Sequence, residues 1–236
     1  MHALNNSLAH FDNDTAAYLK SADYAMILQI YRNDFLHESK LYDYIYDIFL
    51  IDLKGNILFS VAKENDLGTN LQNSPYASTL FAKAFQKTLT DGKTHFSDLE
   101  HYAPSNNGVY GFLTSPIVDK GHNRIGVFAV QFKPKRIFEQ FSAVNSEDNG
   151  IFHYLVSGKD FSLRSPRYSQ EENLNKVIDT EQTELYKQEH ILNTQITQAD
   201  KEKVTSYIGP DGNDVIGVHH QVDILGENWI LIIEMN

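Results

Sequence analysis

Two short apolar runs separated by a glycine turn are the feature that most limits what this 236-residue chain can fold into. Residues 48–51 and 57–61 have the length of strands, are rich in β-branched and aromatic side chains, and flank Lys54-Gly55-Asn56. This pattern predicts a β-hairpin. Because nearly every position in both runs is apolar, the sheet that contains the hairpin is expected to be covered on both of its faces.

The composition is that of a folded protein, with 42% hydrophobic and 12% aromatic residues. The length suits one large domain or two of about 100 residues each. The absence of cysteine excludes disulfides, zinc–thiolate sites and cysteine nucleophiles. The net charge is −11, and the chain from residue 138 onward holds 7 basic against 17 acidic residues. This acidic half repels nucleic acid and anionic lipid headgroups, so neither is an expected partner.

Residues 4–38 predict one long amphipathic helix, because they lack Gly and Pro and their apolar residues recur every three or four positions. The helix could pack only against its own domain, or it could also form a seam with a second chain. Internal packing of Leu4, Leu8 and Phe11 would argue against the seam. With no signal peptide and no apolar run near the roughly 20 residues that span a bilayer, we expect either an internal soluble protein or a soluble part of a membrane protein.

The next part of the chain predicts an α+β unit. Residues 76–89 predict a helix that begins at Ser74-Pro75 and ends at Asp91-Gly92. The predicted order of elements is two strands, this helix and three antiparallel strands. This is the order of a PAS-like fold. The last three strands are predicted at residues 94–101, 109–117 and 125–132, and Pro134 breaks the chain after them.

The remaining residues repeat this plan in reduced form after a short helix at 137–144. The fold class is therefore predicted as α+β, with a long N-terminal helix (1–40) followed by two tandem PAS-like modules (41–136 and 137–236). Each module is expected to be a mainly antiparallel sheet covered by helices. In the second module the predicted elements are a hairpin of 152–156 and 161–164, an acidic helical region at 171–189, and strands at 204–208, 215–222 and 229–234.

The order and spacing of several short motifs resemble those of the double Cache sensor domains of bacterial receptors, over almost the whole chain. The resemblance implies a periplasmic, ligand-sensing domain of a membrane-tethered, homodimeric histidine kinase, chemoreceptor or diguanylate cyclase. It implies a small-molecule ligand in the distal module (41–136), a proximal module (137–236) that relays the signal, no cofactor and no enzymatic activity in the domain. The motifs are at residues 46–52, 55–57, 63–64, 68–71, 102–107, 115–117, 154–156, 164–165, 167 and 229–234.

A soluble enzyme or a cytosolic interaction protein built from PAS-like modules is the alternative. Apolar segments of about 20 residues upstream and downstream of this sequence would favour the receptor. The chain also differs from the amino-acid receptors of the family, which carry an arginine with aromatic partners and an acidic residue on the last strand of the distal module. Strand 126–132 has no acidic residue, which argues against an amino-acid ligand.

Six residues of the first module are the predicted ligand-binding set: Tyr76, Asp98, Tyr102, Ser105, Tyr110 and Phe112. Strand alternation places Phe96, Asp98, Glu100 and Tyr102 on one face. Asp98 is expected to hold a cationic group, the tyrosines to form amphipathic walls, and Ser105 to donate a hydrogen bond. The alternative is that the aromatics belong to the core and that Asp98 is a surface or turn residue.

Other polar residues are expected to lie outside the main ligand site. Gly68 and Asn70 are expected to shape the backbone after the first hairpin, with pocket lining as the alternative. His95 and His101 lie about 20 Å apart in an ideal strand, so no metal site is predicted. No Gly-x-Ser-x-Gly motif is present, and no catalytic residues are predicted. A second pocket from Tyr154, Arg164 and His219 is the competing location for a ligand.

Overall fold

The structure, a computed structural model, describes residues 1–145, 150–167, 176–188 and 205–236. It is α+β with antiparallel sheets, as predicted, and its contacts divide the chain into a first unit, Met1–Pro134, and a second unit, Lys135–Asn236. None of the helices within the described residues is long and apolar enough to cross a membrane.

The elements of the first unit are α1 (His2–Ala9), α2 (Thr15–Tyr18), α3 (Ala22–Leu41), β1 (Ile45–Ile51), β2 (Ile57–Ser60), α4 (Leu80–Asp91), β3 (His95–Tyr102), β4 (Gly108–Val118) and β5 (Arg124–Phe132). Its five strands form an antiparallel sheet in the order β2-β1-β5-β4-β3. The second unit contains α5 (Lys135–Val144), β6 (Ile151–Ser157), α6 (Glu181–Tyr186), β7 (Thr205–Ile208), β8 (Asp214–Ile224) and β9 (Glu227–Met235), with the sheet order β6-β9-β8-β7.

The predicted hairpin is confirmed, and its apolar runs are covered on both faces. Phe49 and Ile51 pack in a core that includes Phe81 of α4, whereas Leu50 and Leu58 pack with residues of the N-terminal helices. Successive residues of a strand point to opposite faces. A strand with a core on each side must therefore be apolar at every position.

The N-terminal region is helical, as predicted, but it forms three helices instead of one. Asp12 and Asn13 adopt left-handed backbone conformations (φ 51° and 62°), which end the helical path after α1. The side chains of Asp14 and Ser21 then accept hydrogen bonds from the first turns of α2 and α3, at 3.0 and 3.1 Å. Polar residues that suit turns and N-caps therefore interrupt a region that has no Gly or Pro to signal the breaks.

Helix α4 begins at Leu80, six residues after Ser74, and the predicted start was wrong. The backbone N–H groups of Leu80 and Phe81 donate to the Glu100 carboxylate of β3, at 2.9 and 2.8 Å. Thr79 caps the same turn through Ala82, at 3.1 Å. The Glu100 carboxylate, which belongs to a strand and not to the helix, therefore sets where α4 begins.

In the second unit the described strands and α5 agree with the predicted ones to within about three residues. Residues 161–164 do not form the predicted strand. Phe161 has a φ of 56°, and Leu163 makes only an isolated bridge to Val156. Of the region 171–189 predicted as helical, only α6 and the turn after it are helical in the described residues. Residues 176–180 are not helical, and Val177 instead forms an isolated bridge to Ser162. Residues 171–175 and 189 lie outside the described residues.

The buried carboxylate of Asp47 ties the first hairpin together. Its Oδ1 accepts from the backbone N–H groups of Ile48, Val61 and Ala62 at 2.7, 2.7 and 3.0 Å, and its Oδ2 accepts from the Ser60 hydroxyl at 2.6 Å. Burial raises the pKa of Asp47, and these four hydrogen bonds oppose that shift. Both oxygens of this charge are therefore satisfied by the end of β2.

Asp47→Asn should destabilise the protein, because the amide replaces one acceptor oxygen by a donor facing the Ser60 hydroxyl. We expect the free energy of unfolding to fall by about 1–3 kcal/mol, measured by urea denaturation at pH 7. Asp34→Asn, on the exposed side of α3, is the control and should stay within about 0.5 kcal/mol of the unmodified protein. Equal stability of the two variants would contradict this role for Asp47.

Candidate functional site

The loop between β2 and α4, residues 61–79, crosses the α4 face of the first sheet and is fixed by its own polar residues. Gly68 has a φ of 85°, and its N–H donates to the Ile57 carbonyl at 2.9 Å. Asn70 donates to the Lys54 carbonyl at 2.8 Å and accepts from the Gln72 N–H at 2.8 Å. The predicted backbone role of Gly68 and Asn70 is confirmed. A loop held in this way presents its other side chains at defined positions.

Glu64 of this loop is the centre of a hydrogen-bond network. Its carboxylate accepts from the Tyr46 hydroxyl at 2.6 Å and from the Ser105 hydroxyl at 2.5 Å. Ser105 in turn accepts from Nε2 of Gln131 on β5, at 2.8 Å. The Tyr46 ring lies 4.7 Å from that of Tyr110. The network therefore joins β1, the loop, the turn after β3 and the strands β4 and β5.

Asp66, two residues further along, is fully buried, but only one of its two carboxylate oxygens has a hydrogen-bond partner. Its Oδ2 accepts from the Tyr102 hydroxyl at 2.7 Å, whereas its Oδ1 is buried without a hydrogen-bond partner. The pKa of Asp66 is raised to about 6, mainly by burial and also by the charges of Asp47 and Glu64, while the Tyr102 hydrogen bond opposes the shift. This carboxyl group therefore titrates near neutral pH.

Gln131 presents a second unsatisfied acceptor. The side chain is fully buried on β5, and its Oε1 has no hydrogen-bond partner. Buried acceptors without a donor are costly, and functional sites are one place where proteins retain them. We call Glu64, Asp66, Tyr102, Ser105 and Gln131 the loop–sheet cluster.

The structure brings three of the six predicted residues directly into this region. Tyr102 and Ser105 belong to the loop–sheet cluster, and Tyr110 contacts Tyr46 at its edge. The Ser105 hydroxyl, predicted to donate to a ligand, here donates to the Glu64 carboxylate. The Tyr76 ring lies 6.2 Å from that of Tyr102.

Phe112 lies beneath the cluster in the core of the first unit. Its ring stacks on that of Phe81 with centroids 4.2 Å apart, and it contacts the edge of Tyr102 at 4.8 Å. Phe112 is fully buried in this aromatic stack. It therefore supports Tyr102 from below.

Asp98 occupies a β-bulge, and the predicted alternation of β3 was wrong at this point. The register shifts between Phe96 and Leu99, and Asp98 has a φ of 70°. Its carboxylate accepts from the Leu99 N–H at 2.7 Å, and the residue is only 3% exposed. Phe96 packs on Phe132, on the face opposite Phe112. A bulge adds one residue to a strand, so the side chains before it and after it no longer follow one alternation between the two faces of the sheet. Phe96, before the bulge, and Tyr102, after it, therefore lie on opposite faces.

Sequence reasoning did not select Tyr46, Glu64, Asp66 or Gln131. A signal existed for Gln131, because it is the one polar side chain in the apolar run of residues 125–132. Glu64 and Asp66 gave no such signal. They lie in an irregular polar loop, where charged residues usually face water.

A cavity of about 750 Å³ lies on the opposite face of the same sheet. Its lining includes Leu28, Phe35, Phe59 and Phe128 and is mainly apolar. None of the buried polar atoms without a partner among the described residues belongs to its lining. The cavity thus offers space without the convergent polar groups that give a ligand its orientation.

In the second unit, the three residues of the competing pocket have separate partners. Tyr154 donates to Glu234 at 2.9 Å, Arg164 to Ser162 at 2.6 Å, and His219 interacts with Gln182 at 2.8 Å. Glu234 also accepts from Tyr207 at 2.8 Å and pairs with Arg167 at 2.9 Å. The two tyrosines join β6 and β7 to β9 through Glu234, whereas His219 links β8 to α6 and the Arg164 contact is local to the chain after β6. No group of three or more His, Asp or Glu side chains among the described residues could hold a metal ion.

No protein-family model matches the sequence, and no curated protein matches it. Solved structures do resemble it. The extracellular domain of rpHK1S-Z16, assigned as a histidine kinase, has a TM-score of 0.57 at 11% identity, covering all of this chain and 87% of that one. The ligand-binding domain of the Pseudomonas aeruginosa amino-acid chemoreceptor PctC, solved with GABA, has a TM-score of 0.55 at 12% identity. That match covers 82% of this chain and 75% of the PctC domain.

An extracellular ligand-binding receptor from Desulfohalobium retbaense has a TM-score of 0.56 at 13% identity. The match covers all of this chain but only 37% of that receptor. At these identities the comparisons establish the fold. The chain has the fold of extracellular ligand-binding domains of chemoreceptors and histidine kinases, which confirms the predicted resemblance to Cache sensor domains.

Asp66→Asn should stabilise the protein at alkaline pH. With a pKa of about 6 in the folded state and an ordinary value of 3.8, Asp66 binds more protons folded than unfolded between these values. Stability is therefore lost as the pH rises through this window, by up to about 3 kcal/mol. Asparagine cannot ionise, and its oxygen can still accept from Tyr102.

Urea unfolding of the Asp66→Asn variant should thus give a higher free energy than the unmodified protein at pH 8, and a similar one at pH 4. Asp47→Asn, the matched change at a fully satisfied carboxylate, should be destabilising at pH 8. Loss of stability at pH 8 in the Asp66→Asn variant would show that the carboxylate is an ordinary structural group.

Proposed function

We propose that this chain is the ligand-sensing domain of a bacterial transmembrane receptor and lies in the periplasm. The first unit is the membrane-distal module and binds a small molecule at the loop–sheet cluster; the second unit is the membrane-proximal module and relays the signal. The observation that carries this proposal is the pair of buried, unpartnered oxygens of Asp66 and Gln131. A few polar groups converging over an aromatic core are typical of small-molecule sites.

The fold supports the receptor class. Its structural neighbours are extracellular domains of chemoreceptors and histidine kinases, and the chain spans 37% of the Desulfohalobium receptor. In the proposal, membrane segments and an output domain belong to the rest of the protein.

The six residues predicted from the sequence keep roles in the proposed site. Tyr102 and Ser105 hold the two carboxylates of the loop, Tyr76 and Tyr110 form the aromatic border, and Phe112 forms the floor. Asp98 lies close enough to Glu100 to raise the pKa of that carboxyl group. Because Glu100 caps α4, we assign Asp98 to the border of the site near the start of this helix.

The loop provides a route from the site to the N-terminal helices. A side-chain carbon at Gly68 would lie 2.6 Å from Cδ1 of Leu19, so the loop is in close contact with the end of α2. Lys54 at the hairpin turn donates to Asn13 at 3.0 Å. A ligand that binds one position of the loop better than another would shift the population of helix positions by its difference in affinity.

Dimerisation in the proposal uses α3. Leu4 and Leu8 are buried within the first unit and Phe11 packs against the same core, so these residues do not form a seam. Met26 and Ile30 instead are 60% and 61% exposed and lie four residues apart on one side of α3. The membrane would supply the local concentration that holds such a narrow seam together.

A ligand screen by thermal shift, with organic acids, amines and sugars, tests the sensing function. A ligand at 100 times its dissociation constant should stabilise the protein by about 2.7 kcal/mol. Gln131→Ala should abolish the shift. Gln182→Ala is the matched control, because Gln182 is a buried glutamine of the second unit. Loss of the shift in Gln182→Ala alone would place the ligand in the second unit.

Sedimentation equilibrium at high protein concentration tests the α3 seam. Ile30→Glu should weaken self-association at least tenfold, since it places a charge within the apolar stripe. Gln29→Glu adds the same charge at the adjacent exposed position and should leave the association within about twofold, the size expected for a charge outside the contact. A strict monomer for the unmodified protein would contradict the seam.

A further inference from the structure

We infer that the cavity between the N-terminal helices and the first sheet binds an uncharged aromatic small molecule. This cavity, of about 750 Å³, lies on the face of the sheet opposite the loop–sheet cluster. We call it the helix–sheet cavity. It would give the first unit a second binding site, and binding there does not depend on the sensing function proposed for the other face.

The helix–sheet cavity has two walls, both within the first unit. Helices α1 and α3 form one wall, and strands β1, β2, β4 and β5 form the other. Asn5 ties α1 to the sheet, because its Nδ2 donates to the Ile125 carbonyl at 2.8 Å. Phe35 ties α3 to the sheet, since its ring lies 5.1 Å from that of Phe59. The two walls are thus joined while a cavity remains between them.

Large apolar side chains of both walls remain partly exposed in this cavity. They belong to the hydrophobic cluster on this face of the sheet, yet none of them is fully buried: Ile27, Leu28, Phe35, Ile117 and Phe128. Protein interiors are close-packed, with few voids larger than a water molecule, and apolar surface that faces water costs free energy. The cavity volume lies within the range of small-molecule pockets, about 300–1,000 Å³, so these side chains are suited to a ligand that covers them.

The lining disfavours a charged ligand. Among the described residues, it contains no Asp, Glu, Lys or Arg, and its polar side chains are those of His2, Tyr31 and Ser115. Ser115 already accepts a hydrogen bond from the Thr94 hydroxyl, at 3.0 Å. Burial lowers the pKa of the α-amino group of Met1, which also lines the cavity, as expected where charge is disfavoured. A charged ligand would lose its hydration here without a charged side chain as its partner.

Aromatic rings on both walls favour an aromatic ligand. Tyr31 and Phe35 lie on α3, Phe59 lies on β2 and Phe128 lies on β5. Aromatic pairs in offset or edge-to-face arrangements gain energy beyond the area that they bury. Tyr31 is 50% exposed, so its hydroxyl can form a hydrogen bond at the rim of the cavity. An uncharged molecule of about two or three rings suits this volume and this lining.

A molecule in the helix–sheet cavity would contact α3 on the side away from its exposed stripe. Leu28 lines the cavity, whereas Met26 and Ile30, two positions before and after it, are exposed. Residues two positions apart point to nearly opposite sides of a helix. In the proposed receptor, where α3 forms the dimer seam, ligand binding and dimerisation would therefore be linked, and each would strengthen or weaken the other.

The test compares two probes by fluorescence titration on the full chain at pH 8. N-phenyl-1-naphthylamine is uncharged, and 1-anilinonaphthalene-8-sulfonate adds a sulfonate to the same rings, so the comparison isolates the effect of charge. The uncharged probe should bind one to one and at least about tenfold more tightly than the sulfonate, because the lining offers no charged side chain to replace the hydration of the anion. Equal affinities, or no binding of the uncharged probe, would overturn the inference.

Substitutions that fill the cavity locate the probe. Leu28→Trp fills it from α3 and should weaken binding of the uncharged probe at least about tenfold, because the indole takes its place. Met26→Trp adds the same ring on the exposed side of α3 and should leave the affinity within about twofold. Ile117→Trp fills the cavity from the sheet and should repeat the loss. Unchanged affinity in both cavity variants, or a loss in Met26→Trp alone, would overturn the inference.

Methyl NMR of the unmodified protein locates the probe without any substitution, and it decides the question if a cavity variant does not fold. The methyl signals of Leu28 and Ile117 should shift on titration, and those of Leu67, which packs in the core on the opposite face, should not. Shifts at Leu67 alone would overturn the inference. Gln131→Ala, which tests the sensing function, should leave the probe affinity within about twofold, so the two proposals can fail separately.

Discussion

The carboxylate of Asp47 is the contact on which the geometry of the first unit depends. It accepts four hydrogen bonds, one from Ile48 of β1 and three from the end of β2, and the three fix the place where the loop of residues 61–79 leaves the sheet. Glu64 follows three residues after Val61 and reaches the hydroxyls of Tyr46 and Ser105. One satisfied buried charge thus positions a loop that carries a second, incompletely satisfied charge at Asp66.

In the proposed function, this difference between two buried carboxylates separates a structural group from a binding group. Asp47 has a donor for each oxygen and stabilises the hairpin. Asp66 has a donor for only one oxygen, and the cost of burying it appears as a raised pKa. Proteins retain destabilising groups of this kind where binding requires them. A ligand that supplies the missing donor would recover this cost on binding, and the loop would then be more firmly held.

The sequence was sufficient to predict those elements whose patterns are local. The hairpin around Gly55 followed from its apolar runs and turn, and the strands of the first sheet from their length and β-branched residues. The bulge at Asp98 and the start of α4 at Leu80 could not be predicted in this way. Both depend on partners distant in the chain: the shifted pairing of β3 with β4, and the Glu100 carboxylate.

The candidate site was predicted only in part, for a related reason. The predicted strands were enough to locate three of its residues. These are aromatic or polar residues near the ends of β3 and β4: Tyr102, Ser105 and Tyr110. Asp66 lies 36 residues from Tyr102 in the chain, and its burial depends on how the loop folds over the sheet. Periodicity contains no information on such a loop, because the loop has no regular spacing.

The titration of the Asp66 carboxyl group, followed by carbon NMR of the labelled side chain, tests the central claim most directly. Without ligand, we predict a pKa of about 6, which reflects a buried carboxylate with one open oxygen. A ligand from the thermal-shift screen that binds at the loop–sheet cluster should change this pKa by at least one unit, because it alters the hydrogen bonds and charges around the carboxyl group. A pKa near the ordinary value of 3.8 that does not move with the ligand would contradict both the open carboxylate and its role in binding.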